Sequence, residues 1–146
     1  MSAYKIYKIA SSLHRKKVPV VPSVLSKLNR IIYGCQVPHT AEIGENTIIG
    51  YDGIGTVIHY RSKIGKNCVI MSGVTLGGTN HKKEVPIIGD NVLIGTGAKL
   101  IGSVTIGSNV VIGANSVVVN DIPDNCLVVG VPAKVTKTNI NIKDYL

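Results

Sequence analysis

The sequence predicts an all-β solenoid, a coil of short strands wound three to a turn. Aliphatic residues recur at every sixth position. Glycine is frequent, at 16 of 146 residues. Aromatic residues make up only 4%, all of them Tyr. A core without Phe or Trp, rich in Ile, Val and Gly, favours many short strands with tight turns over a helical bundle. At 15.5 kDa the chain has the size of one domain with a short appendage. Its 45% apolar content supports a sizeable core.

The expected organisation is a helical segment over residues 1–35, the solenoid over 36–135 and a polar tail over 136–146. In the first segment Ile6, Ile9, Ala10 and Leu13 stand at helical spacing. Val24, Leu25, Leu28, Ile31 and Ile32 do so again, after Pro22-Ser23 as a start signal. Val18 to Pro22 reads as an extended connector. The first helix is basic and amphipathic, which suits packing on the end of the solenoid or contact with a membrane surface.

The repeat begins in earnest at Ile58. Stepping by six gives Ile58, Ile64, Ile70, Leu76, Lys82, Ile88, Ile94, Leu100, Ile106, Ile112 and Val118. All but Lys82 are aliphatic. Two residues before each stands a small or β-branched residue in most cases, such as Thr56, Ser62, Cys68 and Ala98. Period six is neither a helix nor simple strand alternation. It is a strand and a turn, repeated, and three such units close a triangular coil. Ile43-Gly44 and Ile49-Gly50 keep the step in a different phase, so register changes between Tyr51 and Val57. A Lys pointing into an aliphatic prism would lack a charge partner. Thr79 to Glu84 is therefore expected to leave the coil as a loop.

Net charge is +8, and seven of the basic residues fall within the first 33 positions. That suits an anionic partner or a solvated basic face. No aromatic-basic patch or nucleic-acid motif is present, and nucleic acid is not an expected partner. Three cysteines at wide spacing make neither a disulfide framework nor a zinc pattern, so free thiols and a cytoplasmic setting are expected. No apolar run approaches the ~20 residues of a membrane span.

Three stretches give the family resemblance: Gly73-Val74-Thr75-Leu76-Gly77-Gly78-Thr79, Pro86-Ile87-Ile88-Gly89-Asp90-Asn91-Val92-Leu93-Ile94-Gly95 and Gly130-Val131-Pro132-Ala133-Lys134. Together they resemble the hexapeptide acyltransferases, in their serine acetyltransferase-like branch, over about residues 35–137. The resemblance implies a left-handed parallel β-helix, a homotrimer and acetyl-CoA lying in the groove between neighbouring β-helices. It implies a histidine that deprotonates an acceptor hydroxyl. The short N-terminal segment looks like that of acetyltransferases acting in cell-surface polysaccharide synthesis, which makes a sugar the first expected acceptor. Serine O-acetylation is the alternative, and a non-catalytic β-helical binding or scaffold protein is a third reading.

The chain departs from serine acetyltransferases at their catalytic pair. The family's histidine falls at Tyr51 or Asp52, its aspartate at Gln36, and its loop histidine at Val85. Attack of a hydroxyl on a thioester still needs a base near neutral pKa and donors for the oxyanion. Among four histidines, His14 and His39 read as surface or packing residues. His59 directly follows an inward Ile58 and so points outward. His81 stands in the loop, 22 residues later, within Asn80-His81, which resembles the base-bearing loop step of other family members. His81 is the first candidate for the base and His59 the second, or an acceptor-binding group. Tyr51, Asp52 and Asn80 are expected near the acceptor. By resemblance Gly77, Gly78, Thr96 and Ala114 line the cofactor, with Lys99 and Lys134 against its phosphates. Two outward histidines fall short of a three-histidine metal site, and no metal is expected.

Overall fold

The computed structural model describes all 146 residues. Helix α1 spans Ala3–Arg15 and α2 spans Val21–Tyr33. Ser2 caps α1 by accepting a hydrogen bond from the Lys5 N–H, and His14 and Arg15 complement the dipole at its other end. Gly34 closes α2 in the left-handed conformation, φ 62°. The connector is not extended throughout: Val20 within it has positive φ, as does Lys17 just before it. α2 therefore starts at Val21, with Pro22 in its first turn, where the missing N–H costs no helix bond.

α1 buries Ala3, Ile6, Tyr7 and Ala10. The Tyr7 hydroxyl donates to the Ala41 carbonyl at 2.8 Å and accepts from the Ile43 N–H at 3.2 Å. Asn29 of α2 donates to the Ala3 carbonyl at 3.0 Å. Most of the apolar face of α1 is thus spent on α2 and the first coil, with Ile9 of the predicted face left exposed, and contact of that face with a membrane surface finds no support. Neither helix is long and apolar enough to cross a membrane. α2 keeps an exposed stripe of Val24, Leu28, Ile31 and Ile32.

The rest is a left-handed parallel β-helix of three sheets. The first sheet stacks β1 (Glu42–Ile43), β4 (Lys63–Ile64), β7 (Ile87–Ile88) and β10 (Thr105–Ile106). The second stacks β2 (Ile48–Ile49), β5 (Val69–Ile70), β8 (Val92–Ile94), β11 (Val110–Ile112) and β13 (Cys126–Gly130). The third stacks β3 (Val57–Ile58), β6 (Thr75–Gly77), β9 (Lys99–Ile101) and β12 (Val117–Val118). Every pair among these is parallel. β14 (Ala133–Thr138) then folds back antiparallel on β13 and caps the coil, running past residue 135, where the tail was expected to begin.

The six-residue step is the core. Ile58, Ile70, Leu76, Ile94, Leu100, Ile106, Ile112 and Val118 are at most 1% exposed, and Ile64 and Ile88 at most 4%. Each such burial contributes roughly 1.5–3 kcal/mol. Thr56, Ser62, Cys68, Val74, Ala98 and Ser116 are fully buried two positions earlier, where the corner leaves little room. At one edge the coils approach so closely that an added Cβ at Gly65 would strike the Gly89 backbone. Along that edge Asn46, Asn67 and Asn91 sit in the left-handed region and pass side-chain hydrogen bonds up the stack, 3.2 Å each.

Candidate functional site

Two departures from the regular coil define the site. Leu76 pairs with Ile58 one turn below and with Leu100 one turn above. The first interval is 18 residues and the second 24. The six extra residues lie between β6 and β7, at the corner from the third sheet to the first. Thr79 to Glu84 leaves the coil there, turning on a Lys82 N–H to Thr79 carbonyl bond, and Lys82 is exposed. The other departure is a 3₁₀ turn, Gly50–Gly53, in which Tyr51 and Asp52 have φ of 50° and 53°. It adds three residues to the first turn, so that Ile43 pairs with Ile64 and Ile49 with Ile70.

His59 stands at the same corner as the loop. Its backbone N–H donates to the Leu76 carbonyl at 2.9 Å, and its own carbonyl accepts from Ser62 at 2.9 Å. The half-buried ring stacks on Tyr60, centroids 4.5 Å apart, and the Arg61 guanidinium lies over Tyr60. The Arg61 backbone N–H donates to His59 Nδ1 at 3.2 Å. That bond requires an unprotonated Nδ1, so the neutral ring carries its proton on Nε2. Burial first, and the Arg61 charge second, lower the His59 pKa below the ordinary imidazole value. Gly78 lies against the ring: a Cβ there would be 3.7 Å from Nε2 and 3.3 Å from Val85 Cγ1.

The other expected residues divide between two edges. Gly77, Gly78 and Asn80 join His59 at the corner of the third and first sheets, and His81 is exposed in the loop without a hydrogen bond. Tyr51, Asp52, Thr96 and Ala114 lie at the corner of the second and third sheets, all exposed. Lys99 spans the sheet between the corners, its ammonium on the Gly73 carbonyl. Lys134 is exposed on β14. Gln36 sits one turn below β3, bridging Val57. No three His, Cys, Asp or Glu side chains converge to hold a metal ion. Tyr60 and Arg61, which fix the His59 ring, escape a search for catalytic residue types. Their adjacency to His59 in His59-Tyr60-Arg61 is the signal that would have found them.

The model of the bacterial transferase hexapeptide family (six repeats) matches residues 86–120. Serine acetyltransferase of Synechococcus elongatus is 41% identical over 88% of this chain and 53% of its own length. That of Staphylococcus xylosus is 45% identical over 88% of this chain and 60% of its own. The crystal structure of Neisseria gonorrhoeae serine acetyltransferase superposes with a TM-score of 0.88 at 33% identity, covering 95% of this chain and 54% of that one. Serine acetyltransferase of Brucella abortus in complex with coenzyme A gives 0.89 at 29% identity, covering 94% and 56%. The chain therefore spans between about half and three-fifths of the length of these proteins. Repeat step, triangular coil, corner loop and likeness agree: the chain belongs to the hexapeptide-repeat acyltransferase superfamily, in its serine acetyltransferase-like branch.

Proposed function

We propose that the chain is an acetyl-CoA-dependent O-acetyltransferase, working as a homotrimer, with L-serine as acceptor. The observation that carries this is the likeness to serine acetyltransferases over nearly nine-tenths of the chain. It favours serine over the sugar expected from the short N-terminal segment, for which the relatives offer no support. The departures at Tyr51 and Gln36 mean that serine is activated by a different pair of groups. Three buried free cysteines agree with a cytoplasmic setting.

The two histidines of the corner take different roles in this reading. The Arg61 N–H occupies His59 Nδ1, so His59 presents Nε2–H as a donor. It stabilises the oxyanion that forms as the hydroxyl adds to the thioester carbonyl. The base is then His81, the other histidine of this corner. It takes the hydroxyl proton during attack and returns it to the CoA thiolate when the tetrahedral intermediate collapses. The products are the acetyl ester and free CoA thiol. Gly77 and Gly78 let the pantetheine arm approach the backbone beside the ring. In a trimer the corner of one protomer faces the opposite edge of its neighbour, which reconciles the two clusters of expected residues. Thr96 and Ala114 on one protomer would then complete the cofactor groove of the next, with Lys99 and Lys134 toward its phosphates.

The test is thiol release from acetyl-CoA by the full chain, with L-serine beside nucleotide sugars and oligosaccharides. Turnover with serine and not with sugars is expected. Turnover with a sugar alone would return the acceptor to the glycan class. Acetyl-CoA binding without turnover on any acceptor would favour a β-helix that has lost catalysis.

A further inference from the structure

A cavity lies away from the transfer corner. It measures about 690 Å³ and lies between the C-terminal half of α1, the turn at His39 to Ala41 and the first sheet. That is the size of a small-molecule site. It shares no residue with the set formed by His59, Gly77, Gly78, Asn80 and His81. Its basic wall is His14, Arg15, His39 and Lys63, with Ser11 and Thr40 between them. Glu42 is the one acid on the wall, and it already faces Lys63 at 3.3 Å. Arg15 makes no ion pair with any acid of the chain.

The His39 ring is held in place. Ser26 Oγ accepts the His39 backbone N–H at 3.2 Å and stands 2.9 Å from Nδ1. The Ser26 hydroxyl keeps its proton and a second lone pair, so it bonds Nδ1 in either neutral tautomer and fixes the ring, with Nε2 left as the free nitrogen. Burial first, and the neighbouring His14 second, lower the His39 pKa and favour the neutral ring. The His14 ring meets His39 edge-on, centroids 4.9 Å apart. The last carbonyls of α1 repel an anion, so attraction has to come from these side chains.

We propose that this cavity is an anion site, separate from the transfer corner, that takes a phosphoryl group. Arg15 supplies the unpaired charge, Lys63 adds a charge it shares with Glu42, and the two imidazoles supply hydrogen-bonding nitrogens. The cavity exceeds a lone phosphate several-fold, so the natural source is a small phosphorylated molecule whose remainder lies along Gly44 and Gly65.

The experiment follows the histidine ring resonances of the ¹⁵N-labelled full chain during titration with inorganic phosphate, ribose 5-phosphate and ribose. Both phosphates should shift His14 and His39 saturably and leave His59 and His81 in place, while ribose shifts nothing. Arg15→Gln and Lys63→Gln should each weaken binding about tenfold, as expected for loss of a charge-assisted contact. The undisturbed His59 signal shows that each variant is folded. Tighter binding of ribose 5-phosphate identifies the source as a phosphorylated metabolite; equal or tighter binding of inorganic phosphate identifies it as the free ion. The proposal fails if no saturable shift occurs or if all four histidines move alike. It also fails if both variants bind as the parent does, or if CoA displaces the phosphate, which would make the cavity part of the cofactor site.

Discussion

His59 and His81 share a corner but not an environment. His59 is half-buried and pinned by the Arg61 N–H, and the His39 ring is held at Nδ1 by the Ser26 hydroxyl. Both have pKa values lowered by burial, so the folded state holds fewer protons on them than the unfolded chain does. Their contribution therefore makes stability fall as pH drops through the unfolded value of about 6.5, and leaves it level above. NMR titration should place the midpoints of His59 and His39 below that of a free imidazole; a midpoint at or above it would contradict the burial argument. Ser62 gives a second test. Its hydroxyl is buried and has no hydrogen-bond partner. Ser62→Ala should be neutral or stabilising, by up to about 1 kcal/mol in urea unfolding, because it removes an unsatisfied group. The sequence shows both histidines and the outward direction of His59, since the neighbour of an inward strand residue faces out. It does not show which ring nitrogen is engaged. That depends on the turn from His59 to Ser62, which no residue spacing encodes.

Strand, edge and loop follow the six-residue step closely. Lys82 breaks the step, and the loop is where that break predicts it. The phase change before Val57 is the 3₁₀ turn at Gly50–Gly53. The connector is less legible: the left-handed Lys17 and Val20 are not residue types that advertise positive φ. The glycines that follow the aliphatic positions have unequal importance. Gly65→Ala should cost about 1–3 kcal/mol or more, because the methyl would strike both the Gly89 backbone of the next coil and the Asp90 carboxylate that accepts the Lys66 N–H. Gly78→Ala should leave stability within about 1 kcal/mol, since the methyl is tight only against the Val85 side chain, at 3.3 Å, which can give by a few tenths of an ångström, and meets the His59 ring at an ordinary 3.7 Å. It should nevertheless lower the rate by crowding Nε2. Thermal unfolding and thiol release, measured on both variants, separate the two effects; equal loss of stability would contradict the assignment of Gly78 to the site.

The whole molecule is legible for a physical reason. In a solenoid each coil touches only its neighbours, so local repetition specifies global architecture. The ends are harder to read, because they break the repeat. β13 and β14 close one end through an antiparallel hairpin, and α1 closes the other by burying Tyr7 against Ala41. Assembly is harder still: the expected cofactor residues occupy two edges, and only in the proposed trimer would a neighbouring protomer bring them into one groove. The division of labour at the corner is the central claim. It is tested most directly by thiol release with L-serine for His81→Ala and His59→Ala, with and without added imidazole. The account predicts a loss of about 10²- to 10⁴-fold in His81→Ala, partly restored by imidazole acting as a free base. It predicts a loss of about 10²- to 10³-fold in His59→Ala that imidazole does not restore, because an oriented donor is missing. Rescue of His59→Ala, with His81→Ala as active as the parent, would contradict it and make His59 the base.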